Sequence, residues 1–282
     1  MNLNSKELNL FIKDVLKEDI GKADITTRLV IPKGKKTKAI IVSKENGVIC
    51  GIDIAGLVFK AIGKNIKFKP LISDGDEVRK GEILAKVFGD ASRILTAERV
   101  ALNFLGMLSG IASKTRLFLE GVKPYKVKIL DTRKTLPALR SLEKYAVRVG
   151  GGYNHRMRLD EMILVKDNHL KVINGYQGLQ GLTRGRKGYK VEIEVKNLKE
   201  FKQALKKNPD IIMLDNMKID DIKKAIIIKR KAQNAQHKTL LEVSGNISLN
   251  TVKKYASCGV DFISVGSLTK DIDSLDISLD IL

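Results

Sequence analysis

The spacing of apolar residues along the chain changes near residue 124. Before that point, apolar and β-branched runs at 38–49 and 83–88 predict strands, and a helical pattern at 53–63 lies between them. Apolar residues then recur at helical spacing over 92–122, which predicts one long helix or two shorter ones. Asp-Gly and Lys-Gly pairs mark tight turns between the strands. The first part of the chain is therefore expected to form a small layer of strands and helices.

After residue 124, short β-branched runs alternate with segments of good helix formers. The predicted strands are 127–131, 162–166, 191–195, 211–215, 240–244 and 262–266. The helical segments between several of them are 137–147, 196–207, 220–233 and 248–257. This alternation predicts βα units and a parallel sheet, either curled into a barrel or open and doubly wound. No GxGxxG follows the first strand and there is no Walker A motif, which weakens the nucleotide-binding versions of an open sheet.

The two ends of the chain carry separate predictions. The first 21 residues have charges spread throughout, so they predict an amphipathic helix rather than a signal peptide, and a cytoplasmic location is expected. The alternating DISLDIL at the other end could form a strand that returns to the first domain. No apolar run approaches the roughly 20 residues that cross a bilayer, so no membrane partner is expected. Cys50 and Cys258 lie far apart and are expected to be reduced thiols.

The net charge of +20 raises the hypothesis of a nucleic-acid partner. Against it, the basic residues are scattered along the whole chain, Trp is absent and aromatic residues make up only 5%. Few side chains are therefore available to stack on bases. We expect no nucleic-acid partner, although a positive field also favours a small phosphorylated ligand.

Polar side chains gather where the predicted strands end, which is where the active site of a βα barrel lies. They are Asp131, Arg133 and Lys134, then His155, Arg156 and Lys166, Glu192 and Glu194, Asp215 and Asn216, Ser244 to Asn246, and Gly266 with Ser267. Each alone has a purely structural explanation: Asp215 could cap a helix, and His155 could bond to backbone. Together they predict a site for a ligand with several negative charges.

Two of these strand ends are Gly/Ser turns, 244–246 and 265–267. Backbone N–H groups in such turns, followed by helix N-termini, can cradle a phosphate. Gly and Ser are also common in ordinary βα turns, so the pattern alone leaves both explanations open.

Two long segments resemble the signature sequences of quinolinate phosphoribosyltransferases. They are DTRKTLPALRSLEKYAV at 131–147 and GGGYNHRMRLDEMILVKDNHL at 150–170. Shorter matches occur at 18–27, 47–59, 74–89, 94–113, 191–198, 211–216, 242–247 and 263–269. The resemblance covers essentially the whole chain in the family's order.

The resemblance implies an α/β fold with two domains. An N-terminal α/β sandwich with a bridging helix is expected over 1–115, and an incomplete parallel α/β barrel of about six strands over 116–267. The tail, 268–282, would pack back onto the N-terminal domain. A homodimer or hexamer is expected. The implied reaction joins quinolinate to 5-phosphoribosyl 1-pyrophosphate with Mg²⁺, and it yields nicotinate mononucleotide, pyrophosphate and CO₂.

The resemblance also assigns roles to individual residues. Arg133, His155, Arg156 and Lys166 would hold the two carboxylates of quinolinate, and Arg99 would reach in from a neighbouring subunit. Lys134 would contact the phosphoribosyl donor, while Glu194 and Asp215 would face the ribose and Mg²⁺. The expected catalytic residues are Lys134, Lys166, Glu194 and Asp215. The other expected substrate contacts are Thr132, Ser244, Gly245, Asn246, Val265, Gly266 and Ser267.

The chain departs from the family pattern at three positions. Where the family usually has DTRKTTPGLR, Leu136 and Ala138 replace the second Thr and the Gly, and Arg158 replaces a Gly after NHR. These changes put the geometry of the loop in doubt. The alternatives are a nicotinate phosphoribosyltransferase or a paralogue associated with molybdenum-transport genes. The discriminating feature is a set of cations for the second carboxylate of quinolinate. The chain has all of them: Arg99, Arg133, His155, Arg156 and Lys166.

Overall fold

The computed structural model describes residues 6–182, 188–232 and 239–282. Within them, contacts divide the chain into two compact units. The first comprises the chain up to Arg116 together with Ser141–Gly150 and Ile272–Leu282. The second comprises Leu117–Arg140 and Gly151–Asp271. The fold class is α/β, as predicted.

The first unit contains helices that pack on antiparallel strands. Its elements are α1 (Lys6–Ile20), α2 (Ile25–Val30), β1 (Lys36–Ser43), β2 (Gly47–Val48), α3 (Ile52–Ile62), β3 (Lys67–Pro70), β4 (Glu77–Val78), β5 (Ile83–Asp90), most of α4 (Ala91–Val122), most of α5 (Arg140–Val149) and β12 (Ile277–Ile281). The main sheet has the order β12-β1-β5-β3, and β2 pairs with β4. The side chains of Val58, Phe59, Leu84 and Ile94 are fully buried in its core.

The chain's last strand, β12, lies antiparallel to β1, with Ile41 opposite Leu279. The alternation in DISLDIL places Ile277 and Leu279 on the buried face. Burial of these apolar side chains, together with the ladder of backbone hydrogen bonds, holds the tail in the first unit.

Most elements predicted in the first unit are confirmed, with one correction. Helix α3 covers the pattern at 53–63, and 92–122 forms a single helix. The prediction of one continuous strand over 38–49 is wrong, because the extended conformation breaks off between β1 and β2. At the break, Ser43 Oγ donates to the Glu45 carbonyl, which stabilises a turn. Helix α1 covers part of the predicted N-terminal helix, and residues 1–5 lie outside the described range.

Helix α4 is long and apolar enough to cross a membrane by length and composition. It is the one such helix found among the described residues, and 67% of its apolar window is buried inside the protein. Core helices of soluble proteins have the same properties, so this helix is weak evidence for a membrane span.

The second unit is built from six parallel strands with intervening helices. Its elements are β6 (Lys128–Leu130), β7 (Ile163–Val165), α6 (Asp167–Val172), a 3₁₀ helix (Tyr176–Gly181), β8 (Val191–Val195), α7 (Leu198–Leu205), β9 (Ile211–Asp215), α8 (Ile219–Ala232), β10 (Leu240–Ser244), α9 (Leu249–Ala256), β11 (Phe262–Ser264) and α10 (Ser267–Lys270). All six predicted strands are present. The helix predicted over 220–233 corresponds to α8, and its last residue lies outside the described range.

The strand order, β6-β11-β10-β9-β8-β7, describes a barrel with one opening. From β7 to β11 each strand pairs with the next in sequence, and β11 pairs with β6, but no ladder among the described residues joins β6 to β7. A single parallel bridge between Leu130 and Tyr153 lies on this side of β6. The predicted incomplete barrel is therefore confirmed, and the segment after Tyr153 lies beside its open seam.

Two glycines of α4 allow the tail to lie directly against the helix. A Cβ added at Gly110 would overlap the Asp273 carbonyl oxygen, and one at Gly106 would lie 2.9 Å from the Leu275 carbonyl oxygen. Both obstacles are backbone atoms, which cannot rotate away as a side chain can. The close approach of helix and tail therefore requires glycine.

Gly110→Ala should destabilise the protein by roughly 1–3 kcal/mol, because the steric overlap outweighs the better helix propensity of Ala. Urea unfolding measures the free energy. Gly121→Ala is the matched control on α4, since its added Cβ would meet only the flexible Val252 side chain, at 3.1 Å. Equal stability of the two variants would contradict the proposed close packing.

Candidate active site

The parallel strands place the predicted polar residues along one edge of the barrel, since all six C-terminal ends face the same way. Residues after β6 and β11 meet there. The Lys134 side chain lies against Gly266, where an added Cβ would be 3.4 Å from Lys134 Cδ. Thr269 Oγ1 donates to the Lys134 carbonyl (2.8 Å), and the Lys134 N–H donates to Thr132 Oγ1 (3.1 Å). Thr132, Lys134 and Gly266 are thus brought together.

The two glycine-containing turns differ in the N–H groups they can offer. Val265 is fully buried and its N–H donates to the Leu130 carbonyl (2.9 Å). That donor is therefore already used, although Val265 was predicted to contact phosphate. Ser267 begins α10, and Ser244 ends β10 before Gly245 and Asn246, which both have positive φ angles.

Two arginines at the seam have buried Nε donors. The Nε atoms of Arg133 and Arg156 are buried without a hydrogen-bond partner among the described residues. Arg156 Nη1 donates to the Met162 carbonyl (2.8 Å), which fixes the guanidinium. Burial, and then the charge of Arg133, lower the pKa of Arg156. Two cations held this close favour an anion between them.

Lys166 and Glu194 form an ion pair beside the arginines, with Lys166 Nζ 3.5 Å from Glu194 Oε2. Burial raises the pKa of Glu194, the Lys166 charge opposes this, and the nearby Asp215 carboxylate raises it further. Glu194 and Asp215 therefore lie close together at the ends of β8 and β9. Their oxygen atoms suit hard cations such as Mg²⁺.

His155 forms hydrogen bonds at both ring nitrogens. The Arg156 N–H donates to His155 Nδ1 (2.8 Å), and His155 Nε2 lies 3.0 Å from Glu192 Oε2. Because a backbone N–H can only donate, Nδ1 is the acceptor and Nε2 carries the proton. The His155 N–H also donates to Asp131 Oδ1 (2.9 Å). These bonds fix the ring and the backbone before Arg156.

Glu192 and Glu242 form a fully buried carboxyl pair inside the barrel. Glu242 Oε1 accepts from Ser264 Oγ (2.6 Å). Glu192 Oε1 and Glu242 Oε2 have no donor among the described residues, and the two carboxyl groups are within hydrogen-bonding contact of each other. Burial raises the pKa of Glu192 to about 7. Burial and then the Glu192 charge raise that of Glu242 to about 8. One shared proton would satisfy both bare oxygens.

His155, Glu192 and Glu242 also have ligand atoms within 4.8 Å of one another, close enough to hold a metal ion. Protonation argues against it. The His155 Nδ1 lone pair already accepts an N–H, so metal binding at Nε2 would require an imidazole that has lost both protons. We therefore interpret the group as a hydrogen-bonded cluster.

Residues that were not predicted from the sequence also shape this site. Glu242 and Ser264 complete the buried cluster, and Arg140 donates to Thr135 Oγ1 (3.1 Å) and to the Met157 carbonyl (3.2 Å). A glutamate within the apolar run LLEVS was the available signal for Glu242, because a buried parallel strand rarely contains a carboxylate.

The remaining predicted positions have simple environments. Arg99 is exposed on α4 in the first unit, so the second unit alone does not contain it. Ala138 has a φ of 64°, a left-handed conformation that the family's usual Gly adopts without strain. Leu136 is 46% exposed, and Arg158 Nε pairs with Asp160 Oδ1 at 3.1 Å on the surface.

Glu242→Gln should flatten the pH dependence of stability. Between pH 4.5 and about 8 the folded protein holds a proton on Glu242 that the unfolded chain releases. Wild-type stability should therefore fall as pH rises through this window, by up to about 1.4 kcal/mol per pH unit for one such group. The neutral amide has no proton to lose, so the variant should lose less stability. Urea unfolding at pH 5, 6, 7 and 8 measures both slopes.

Glu120→Gln, at an exposed carboxylate of α4, is the control and should keep the wild-type slope. An unchanged slope in Glu242→Gln would show that Glu242 is ionised in the folded protein across this range.

Comparison with known families covers nearly the whole chain. The family Quinolinate phosphoribosyl transferase, N-terminal domain, matches residues 24–109, and Quinolinate phosphoribosyl transferase, C-terminal domain, matches 111–280. A relative from Methanocaldococcus jannaschii, described as a probable carboxylating nicotinate-nucleotide pyrophosphorylase, is 43% identical and covers 96% of each chain.

Solved structures agree with this assignment. The nicotinate-nucleotide pyrophosphorylase from Francisella tularensis has a TM-score of 0.90 and 40% identity, covering 98% of this chain and 96% of its own. That from Ehrlichia chaffeensis has a TM-score of 0.92 and 39% identity, covering 100% of both chains. With both family domains matched in order over nearly the whole chain, the chain belongs to the quinolinate phosphoribosyltransferase family.

Proposed function

We propose that this protein is a decarboxylating pentosyltransferase of NAD biosynthesis. It transfers phosphoribosyl from 5-phosphoribosyl 1-pyrophosphate to quinolinate, and it yields nicotinate mononucleotide, pyrophosphate and CO₂. The observation that carries this proposal is the pair of guanidinium groups, Arg133 and Arg156, whose buried Nε donors have no partner among the described residues. A ligand with two carboxylates would accept a hydrogen bond from each of these Nε donors.

Quinolinate is a planar dianion, and arginine forks bind carboxylates in a bidentate manner. Arg133 and Arg156 supply two such forks, and Lys166 adds a third cation at the end of β7. His155 contributes chiefly by holding the backbone of Arg156, since both its ring nitrogens are engaged within the protein. These contacts would orient the ring nitrogen of quinolinate toward the donor sugar.

The donor would lie across the ends of β8 to β11. Lys134, the 244–246 turn, and Gly266 with Ser267 of the second turn offer cationic and polar groups for its phosphates. Glu194 and Asp215 would hold Mg²⁺, because their paired oxygens match its preference. When bound, this ion would neutralise charge on the departing pyrophosphate. The two carboxylates would also stabilise positive charge that develops on the ribose at C1′.

Loss of CO₂ needs no further group from the protein. Phosphoribosylation turns the ring nitrogen into a pyridinium, whose positive charge stabilises the carbanion left when the adjacent carboxylate departs as CO₂. The carbanion then takes up a proton from water to give nicotinate mononucleotide. The protein therefore contributes orientation and electrostatic stabilisation.

Arg99 would complete the acceptor site from a neighbouring subunit, in a homodimer or a hexamer. The support is its exposure on α4 together with its place in the family motif TAER. We also propose a cytoplasmic location, without membrane or nucleic-acid partners, because the substrates are small and anionic.

Purified protein with quinolinate, 5-phosphoribosyl 1-pyrophosphate and Mg²⁺ should release CO₂ and form nicotinate mononucleotide. Labelled CO₂ and chromatography of the nucleotide measure the products, and a chelator should stop the reaction. Turnover of nicotinate without turnover of quinolinate would favour a nicotinate phosphoribosyltransferase instead.

Arg156→Lys should lower kcat/KM for quinolinate roughly 10- to 100-fold, the value of a charge-assisted bidentate contact of about 1.5–3 kcal/mol. Arg158→Lys is a matched control two residues away, on a side chain 71% exposed, and should leave kcat/KM within about twofold. Equal effects of the two substitutions would argue against a carboxylate contact at Arg156.

Arg99→Ala should abolish activity without unfolding the protein. Mixed with inactive Lys134→Ala subunits, it should regain part of the activity, because a mixed dimer would contain one intact site. Steady-state assays on mixed dimers verified by differential tags make the measurement. Absence of rescue would contradict a site shared between subunits.

A further inference from the structure

Asn216 and Asn246 follow neighbouring strands and share an unusual backbone conformation. Their φ angles are 53° and 50°, in the left-handed region. Side chains other than Gly seldom adopt this region, and Asn does so most readily. Asn216 comes directly after β9, and Asn246 lies two residues after β10.

The Asn216 side-chain amide links two parts of the proposed donor site. Its Nδ2 donates to Asp215 Oδ1 (3.1 Å), and its Oδ1 accepts from Asn246 Nδ2 (3.0 Å). The Asn216 N–H also donates to the Ser244 carbonyl (2.9 Å). One residue therefore connects the Asp215 carboxylate to both ends of the 244–246 turn.

Gly245 allows this contact. Its φ is 96°, and a Cβ added there would overlap the Oδ1, Cγ and Nδ2 atoms of Asn216. The amide is thus held between the turn on one side and Asp215 on the other. Each amide atom has a defined role as donor or acceptor, so the orientation of Asp215 is coupled to the position of the turn.

We propose that Asn216 is a positioning residue that fixes Asp215 and the 244–246 turn relative to each other for binding of the phosphoribosyl donor. The inference rests on the proposed function and gives a role to Asn216, which was not among the expected substrate contacts. Asn216 is exposed and its bonds contribute little to stability. Its effect is on geometry, because a carboxylate and a phosphate-binding turn must be placed together before the donor arrives.

The effect should be selective for one substrate. The cations proposed for quinolinate, Arg133, Arg156 and Lys166, follow β6 or flank β7, whereas Asn216 bridges the ends of β9 and β10. Loss of the amide should weaken donor binding and leave acceptor binding nearly unchanged. A general loss of folding would affect both.

Asn216→Gly tests this inference, because Gly keeps the positive φ without strain and removes only the amide. KM and the equilibrium Kd for 5-phosphoribosyl 1-pyrophosphate with Mg²⁺ should rise roughly tenfold, equivalent to a hydrogen-bond contribution of about 1.4 kcal/mol. KM for quinolinate should stay within about twofold. Asn208→Gly is the matched control, an asparagine with a φ of 49° in the loop after α7, and it should change neither constant.

Asn246→Gly removes the same bond from its other end and provides a second variant. Because both variants lack the same Asn216–Asn246 bond, the double variant should weaken donor binding by less than the product of the two single effects. An unchanged donor Kd in both single variants would overturn the inference. Turnover of quinolinate by the wild type would still support the proposed function in that case. Parallel rises in both KM values with a lowered melting temperature would also overturn it, in favour of a structural role. If the wild type binds the donor but does not turn over quinolinate, the proposal that quinolinate is the acceptor fails. A tenfold loss of donor affinity in Asn216→Gly would still support the inference.

Discussion

The structure of the second unit depends on how its barrel accommodates two fully buried glutamates, Glu192 and Glu242. An isolated ionised carboxylate is very costly to bury, and two side by side are worse, since their charges repel. Glu192 and Glu242 avoid this cost by having raised pKa values, by contact with each other, and through donors from His155 and Ser264. Breaking one link would leave a bare buried oxygen, which costs more than the bond itself contributes. The cluster therefore acts as a unit.

The position of Arg156 follows from this cluster. The ring of His155 can donate to Glu192 only through Nε2, which leaves Nδ1 to accept the Arg156 N–H. The polar interior thereby fixes a backbone segment that no strand ladder holds, because it lies at the open seam between β6 and β7. A closed barrel would have placed a regular strand pair there. The seam allows an irregular segment to present a guanidinium group, and the buried cluster restores the order that the missing ladder would have given.

The sequence predicts the parts of this structure that depend on burial. The strands of the barrel are short runs rich in apolar and β-branched residues, as expected when both faces of a sheet are covered, so their positions follow from composition. Strand β3 was missed because its residues, KFKP, are mostly exposed and give no apolar pattern. At the site, the strand ends predict which edge of the sheet carries the polar residues. They do not predict which of these side chains bond to each other. Glu192 and Glu194 are two residues apart on one face, yet one bonds to His155 and the other to Lys166. That difference depends on depth within the barrel, which a linear pattern does not record.

Depth also explains why a protein with a charge of +20 keeps carboxylates at the centre of a site for anions. Cations alone would bind both substrates tightly but would not favour the transition state, in which the sugar becomes positive as pyrophosphate leaves. Under the proposed function, the carboxylates near the surface, Glu194 and Asp215, meet this developing charge. The deeper pair, Glu192 and Glu242, shares one proton, which removes one of its two negative charges, and it holds the arginine segment through His155. The two layers of acidic residues thus differ in environment, because Glu194 forms a direct ion pair with Lys166 whereas Glu192 and Glu242 are fully buried and contact each other.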